Sequence, residues 1–262
     1  MKLTKLLTLF TAILLVQTCF AQEKENNMKN FRFGLKVTPM LAWFRPDGTK
    51  VIESDGVKAK FGYGLMTEFR LNKNISFATG IGADYEGGKL NYKDSAVYYA
   101  LDNNILDIKE DTAGKKYAIY LLNNREFNVS YLNIPITLKM KTGDIGGITY
   151  YGLFGGDLGI RLKAKATDKK TDLQVPSGFN YDTENINITK DMNILRICLN
   201  VGAGLEYNLA GTTSLVVGVN YRRGFLSAPK STSDQLRKGK TKTSFSQPAP
   251  GDAFLLTVGV LF

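Results

Sequence analysis

The sequence predicts an all-β fold of eight long antiparallel strands, and three observations lead to this prediction. Apolar side chains alternate with polar or small ones at every second position in eight segments, which is typical of strands with two unlike faces. Short and long connections alternate between these segments along the chain. The composition also favours β structure, since 26 Gly, 13 Tyr and 15 Phe occur among 262 residues.

The segment before the first strand has the pattern of a secretory signal peptide. Lys2 and Lys5 precede an apolar run over residues 6–20, and Ala21 offers a small residue for cleavage. The run is too short for a comfortable membrane-spanning helix. The predicted division of the chain is a signal peptide over 1–21, a short polar leader over 22–30 and one barrel domain over 31–262.

The first three predicted strands alternate without interruption. Phe31–Phe44 sets Phe, Leu, Val and Trp against Arg, Gly, Lys and Thr. Lys58–Leu71 sets Phe, Tyr and Leu against Gly, Lys and Glu, and Ile75–Glu86 sets Ile, Phe and Tyr against Ser, Gly and Asp. Helical spacing fits none of the three, so each is predicted to be a strand.

The fourth predicted strand, Phe127–Lys141, changes parity. Its later part has Leu, Ile and Met at even positions, whereas Phe127, Val129 and Tyr131 are apolar at odd positions. This change predicts a β-bulge or a change of face near Tyr131. Pro135 lies on the polar face, where one missing ladder hydrogen bond must be tolerated.

The remaining predicted strands are Thr149–Lys163, Asn193–Tyr207, Thr213–Phe225 and Ala253–Phe262. Connections after the second, fourth and sixth strands are short, whereas the other four are long. This layout is typical of transmembrane barrels, which have short periplasmic turns and long extracellular loops. The apolar run 117–122 lies in the second long loop, and we expect it to extend the barrel wall.

The polar face distinguishes a membrane barrel from a secreted, soluble lipocalin-like barrel, which is the alternative. A water-facing surface would carry many more charges, whereas glycine suits the narrow interior of an eight-stranded barrel. We therefore predict an eight-stranded antiparallel up-and-down transmembrane β-barrel, multi-pass in a bacterial outer membrane and surrounded by its lipid and lipopolysaccharide. The glycines of this face are Gly34, Gly62, Gly64, Gly80, Gly82, Gly202, Gly204 and Gly218.

The stretch Tyr131-Leu132-Asn133-Ile134-Pro135, the eight strands and the terminal Phe262 resemble the PorT-like outer-membrane β-barrel family of Bacteroidetes, within the porin family. The resemblance implies a structural or adaptor role in a type IX-like secretion assembly or another envelope assembly, with protein partners there. The end of the chain also resembles the C-terminal strand that the barrel-assembly machinery recognises. The residues predicted to form this signal are Val258, Val260 and Phe262.

The absence of histidine limits the catalytic and metal-binding chemistry that the chain can perform. No His occurs in the chain, so the Ser-His-Asp arrangement and the commonest metal ligand are both missing. Removal of the signal peptide would leave Cys198 as the only cysteine, and we interpret it as a small structural residue in the barrel. We predict no enzymatic activity, no cofactor and no metal. The basic balance, +10 overall, suits an anionic bacterial surface, and no nucleic-acid partner is predicted.

Charged residues on the predicted lumen face form two groups by height. The upper group is Asp84, Asp157, Arg161, Arg196 and Arg222, and the group near the periplasmic mouth is Glu68, Arg70 and Glu206, with Arg32 and Lys139. Buried charges are normally paired, so we interpret both groups as one ion-pair network that fills the lumen. The alternative is a narrow channel for protons, ions or small solutes.

Overall fold

The computed structural model describes residues 30–46, 52–93, 97–100, 119–172, 179–230, 233–238, 244–245 and 248–262. The predicted signal peptide and most of the leader lie outside these residues. Eight long strands form the barrel: β1 Phe31–Phe44, β2 Lys58–Arg70, β3 Ile75–Tyr92, β4 Ile119–Lys141, β5 Ile148–Asp172, β6 Leu195–Ala210, β7 Thr213–Ser227 and β8 Pro250–Leu261. None of the helices in the described ranges is long and apolar enough to cross a membrane.

The sheet closes on itself between the first and last strands. Each strand is antiparallel to its neighbours in the chain order, and β8 pairs with both β7 and β1. Val258 therefore has Val37 opposite it on one side and Val217 on the other. Closure leaves no free edge within the membrane. The predicted closed, eight-stranded antiparallel barrel is confirmed.

Apolar side chains cover the outside of the barrel, as the alternation predicts. Leu35, Val219 and Phe254 are each at least half exposed on this wall. Aromatic contacts lie at both ends of the wall. At the periplasmic end the pairs are Phe31 with Phe69 and Phe33 with Phe262; at the extracellular end they are Trp43 with Phe254, Tyr221 with Phe254, and Phe61 with Tyr85.

Three strands extend further into the extracellular side than the sequence predicts. β3 continues to Tyr92, β4 begins at Ile119, and β5 continues to Asp172. Three shorter strands pair with them there: Ile52–Ser54, Val97–Ala100 and Phe179–Asn187. Ser233–Lys238 pairs in turn with Val97–Ala100, and Ser244–Phe245 pairs with Ser233–Lys238. We call this part of the sheet, beyond the barrel rim, the external extension. The run 117–122 extends the wall from Ile119 onward, and its first two residues lie outside the described part of the chain.

The irregularity near Tyr131 lies in the partner strand. Ser130 is opposite Lys163 and Tyr131 is opposite Arg161, so the extra residue is Leu162 of β5. A bulge is therefore present where one was predicted, although its extra residue belongs to β5. The alternation within β4 continues through this point, so the alternative prediction, a change of face in β4, is wrong. The odd-numbered apolar residues of β4 face inward because they belong to an apolar layer inside the upper barrel.

Candidate functional site

The lumen contains a lower layer of ion pairs near the periplasmic mouth. Arg32 Nη1 lies 2.8 Å from Glu206 Oε2, and Lys141 Nζ lies 2.9 Å from Glu206 Oε1. Lys139 contacts both Glu206 and Glu68, and Lys141 also contacts Glu68. All except Arg32 are buried. Two carboxylates therefore pair with three cations, and the strands that carry them are far apart in the sequence.

A second, upper layer is centred on Arg222. Its Nε lies 2.8 Å from Asp157 Oδ2, its Nη1 lies 3.0 Å from Asp84 Oδ2, and it also contacts Glu86. Arg196 lies 3.4 Å from Asp84 Oδ2 and contacts Glu86 as well. One guanidinium thus holds three carboxylates, which is the multidentate geometry that arginine favours.

Neutral groups complete the upper layer. Arg196 Nη2 donates to Asn133 Oδ1 at 2.6 Å, and its guanidinium lies 4.6 Å from the centre of the Tyr131 ring. Asn200 Nδ2 donates to Asp157 Oδ2 at 3.0 Å. These contacts fix the side chains at the places where the charges meet.

Most, but not all, of the predicted lumen residues take part in these layers. The structure brings Asp84, Asp157, Arg196 and Arg222 together in the upper layer, and Glu68 and Glu206 in the lower layer. Arg161 differs from the prediction, since it donates to the backbone oxygens of Thr189 and Met192. Arg70 lines the cavity at the periplasmic mouth, beside the lower layer.

Two members of the layers were not singled out from the sequence. Glu86 lies two residues beyond Asp84, and Lys141 lies two residues beyond Lys139, so each shares the inward face of its neighbour. Parity along the strand is the signal that could have identified them. Sequence spacing does not reveal their partners, which come from other strands.

The ion-pair layers separate the free space in the lumen into small volumes. A cavity of about 320 Å³ opens at the periplasmic mouth, beside Arg32 and Lys141. A cavity of about 70 Å³ lies further in, beside Lys36, Lys139 and Asn200. A space of about 20 Å³ lies by Arg196 and Arg222. Eight-stranded barrels enclose little more than their own side chains require, and this lumen follows that rule.

An apolar layer lies beyond the upper ion pairs, toward the extracellular side. The rings of Phe44 and Phe127 meet edge to face with their centres 5.1 Å apart. Both rings are buried, and the layer includes residues of the loop before β6, which therefore pack inside the barrel end. Its members are Phe44, Ile52, Leu90, Tyr92, Leu122, Phe127, Val129, Tyr131, Ala164, Ala166, Ile188, Met192 and Ala249.

The external extension has a buried ion pair of its own. Arg125 Nε and Nη2 each donate to one oxygen of Asp168 at 2.7 Å, and both side chains are fully buried. Burial lowers the pKa of the nearby Lys170, although the Asp168 carboxylate opposes this shift. Burial also raises the pKa of Tyr92, which Arg125 opposes. The extension is therefore a packed structure outside the membrane.

The described residues offer no metal site, and the only feature of Cys198 is a buried thiol. Cys198 is buried in β6 and is a free thiol. In the part of the chain that the structure describes, no group of three or more Cys, Asp or Glu side chains is arranged to hold a metal ion.

Comparison with known proteins identifies the family. The model of the family described as "Outer membrane protein beta-barrel domain" matches residues 20–187, more than half of the chain. The chain belongs to this family. Together with the closed barrel and its apolar outer wall, membership places the protein in the bacterial outer membrane, which it crosses with its strands.

Solved structures with a similar fold include outer-membrane barrels of several kinds. Neisserial surface protein A is 13% identical, with a TM-score of 0.41, covering 89% of this chain and 96% of that chain. The attachment invasion locus protein Ail of Yersinia pestis is 12% identical, with a TM-score of 0.37 and coverages of 89% and 100%. Outer membrane protein AlkL is 12% identical, with a TM-score of 0.40 and coverages of 92% and 93%. No curated protein sequence matches the chain.

Proposed function

We propose that this protein is a non-conducting, non-enzymatic outer-membrane barrel with a structural or adaptor role, and that its partner binds the external extension. The observation that carries the proposal is the filled lumen, in which two ion-pair layers are followed by an apolar layer. The PorT-like resemblance of the sequence favours a secretion assembly of type IX or another envelope assembly as the setting.

The filled lumen argues against the two other functions considered from the sequence. A channel would need a continuous wet path, which requires Arg222 to release three carboxylates and the apolar layer to separate. Breaking buried ion pairs costs several kcal/mol. A lipocalin-like binder would need an apolar pocket inside a polar wall, whereas this barrel has charges inside and an apolar wall outside.

A strand edge that is unpaired among the described residues of the external extension supports the adaptor role. The strand Phe179–Asn187 pairs with β5 on one side and ends the order of paired strands that the structure describes. An unpaired edge offers backbone groups to an extended segment of another protein. Asp182 and Glu184 are exposed on this strand, so the partner segment is expected to be basic.

Conductance and partner binding test the two halves of the proposal. The purified full chain in a planar bilayer should show no unitary conductance steps, and regular steps would overturn the non-conducting half. For the adaptor half, Asp182→Lys and Glu184→Lys would be combined, with Lys190→Glu as an exposed control outside this edge. We expect the double variant to keep its heat-modifiable gel mobility but to lose co-fractionation with its partners in the native membrane.

A secretion role has a separate readout in the native host. Deletion of the gene that encodes this chain should reduce the export of type IX cargo. The wild-type gene should restore export, whereas the gene for the double variant should not. Normal export in the deletion strain would contradict the secretion setting. Unchanged co-fractionation of the double variant would contradict binding at this edge.

A further inference from the structure

An arginine interrupts the apolar outer wall at the extracellular end of β7. Val219, Tyr221 and Phe225 share the outward face of this strand, and Arg223 lies between the last two and is exposed. Arg223 lies ten residues beyond Thr213, where β7 begins at the periplasmic end. Because about 9–11 residues of a tilted strand cross the hydrocarbon core, its guanidinium lies where outer-leaflet headgroups begin.

The neighbouring charges do not neutralise Arg223. Asp252 is opposite it in the ladder, but this buried carboxylate is held by Arg45 Nε at 3.0 Å and accepts from Gly224 N at 3.1 Å. Tyr221 Oη also donates to Asp252, at 3.3 Å. Within the described part of the chain, Arg223 forms no ion pair. Arg45 balances Asp252, and one positive charge remains on the outer wall.

An apolar groove of about 290 Å³ lies directly below this charge on the same wall. Ala59 and Pro39 are small and lie between larger side chains, which leaves the depression. Phe254 lines its upper part and contacts Tyr221, the outward residue next below Arg223. The charge therefore lies about 7 Å along the strand from the top of the groove. The groove is lined by Pro39, Leu41, Ala59, Val219, Phe254 and Leu256, together with the edges of Met40, Lys60 and Leu255.

We propose that this wall is a specific site for one phosphate-bearing lipid of the outer leaflet. The lipid phosphate accepts hydrogen bonds from Arg223, with the part-exposed Arg45 as a second donor, and one acyl chain fills the groove. A guanidinium presents two parallel donors to a phosphate, and such charge-assisted hydrogen bonds are about twice as strong as neutral ones. The site concerns the outer wall and is independent of the proposed adaptor role.

Native mass spectrometry of the full chain tests this site. Bis-phosphorylated lipid A is the probe, and fully dephosphorylated lipid A is the comparison ligand. We expect one phosphorylated molecule to bind tightly and the dephosphorylated form to bind more weakly. Arg223→Gln should lower the affinity for the phosphorylated form about tenfold, the loss of one charge-assisted hydrogen bond. Ala59→Leu should lower the affinity for both forms, because the added side chain fills the groove.

Lys163→Gln is the matched control, since Lys163 is another exposed cation at the same end of the barrel, on β5. It should leave binding unchanged, and all variants should retain heat-modifiable mobility. Equal binding of the two lipid forms, or equal losses in the Arg223 and Lys163 variants, would overturn the phosphate site. Full binding by folded Ala59→Leu would overturn the acyl-chain groove. If Ala59→Leu does not fold, Val219→Trp, exposed on the same groove, takes its place.

Discussion

Replacement of Arg222 by Met tests the role of the upper ion-pair layer in barrel stability. The substitution keeps an unbranched apolar stem and removes the cation that contacts Asp84, Glu86 and Asp157. Arg196 still contacts Asp84 and Glu86, so Asp157 is the carboxylate that loses its ion-pair partner among the described residues. Loss of one partner from a buried ion pair typically costs about 3–5 kcal/mol, because the remaining charge stays buried without compensation. The free energy of unfolding should fall by about that amount, roughly a thousandfold in the folding equilibrium.

Urea unfolding in lipid vesicles measures this change. Trp43 is the single tryptophan and lies in the aromatic cluster on the outer wall, so its emission reports on barrel formation. Lys73→Met, in an exposed turn, is the control and should stay within about 0.5 kcal/mol of the wild type. Adding Asp157→Asn to the Arg222 variant should recover part of the loss, because it removes the buried carboxylate that has lost its ion-pair partner.

Two results would refute the ion-pair account of the lumen. One is a loss below about 1 kcal/mol for the Arg222 variant, which would mean that the layer is hydrated and its charges are well solvated. The other is a further loss on adding Asp157→Asn, which would mean that the carboxylate is stabilised by groups other than Arg222. Either result would also weaken the argument for a closed lumen.

Three further substitutions probe other parts of the barrel. Gly218→Val should destabilise the fold by about 1–3 kcal/mol in the same urea assay, because a Cβ there would lie 2.3 Å from Tyr151 Oη; unchanged stability would show that this ring can move aside. Arg125→Leu should leave Asp168 buried without its partner and make the external extension sensitive to protease while the barrel core resists; uniform digestion would contradict separate unfolding. Phe262→Ala removes the terminal ring that contacts Phe33 and should lower the folded fraction in the outer membrane, measured by gel mobility, without changing the amount synthesised. An unchanged folded fraction would count against the predicted assembly signal.

The sequence predicts the barrel well because its evidence is local. Alternation at every second residue identifies each strand and assigns its faces without knowledge of any partner. Phe31–Phe44 is identical in the prediction and the structure, and the outward apolar residues are those that the alternation selects. The alternation of short and long connections then gives the strand order.

The prediction fails where an apolar residue of a strand faces inward instead of toward the lipid. Phe127, Val129 and Tyr131 are apolar and inward, whereas the apolar residues lower on the same strand face lipid. The sequence shows only a change of parity, and it does not show that the surroundings of the two faces change at the barrel rim. For the same reason, the upper parts of β3, β4 and β5 were predicted to be long loops.

The eight strands, most of their inner and outer faces and the charged residues of the lumen can be read from the sequence alone. Counting along the strands even groups Asp84, Asp157 and Arg222 at one height, but the pairing of individual charges is evident only from the closed barrel. Arg222 reaches Asp84, Glu86 and Asp157 because strand tilt and stagger around the closed barrel bring these positions to one level. Arg161 was predicted at the same level, but it lies at the register shift and binds backbone oxygens instead. Stagger is a property of the closed sheet as a whole, and no single strand encodes it.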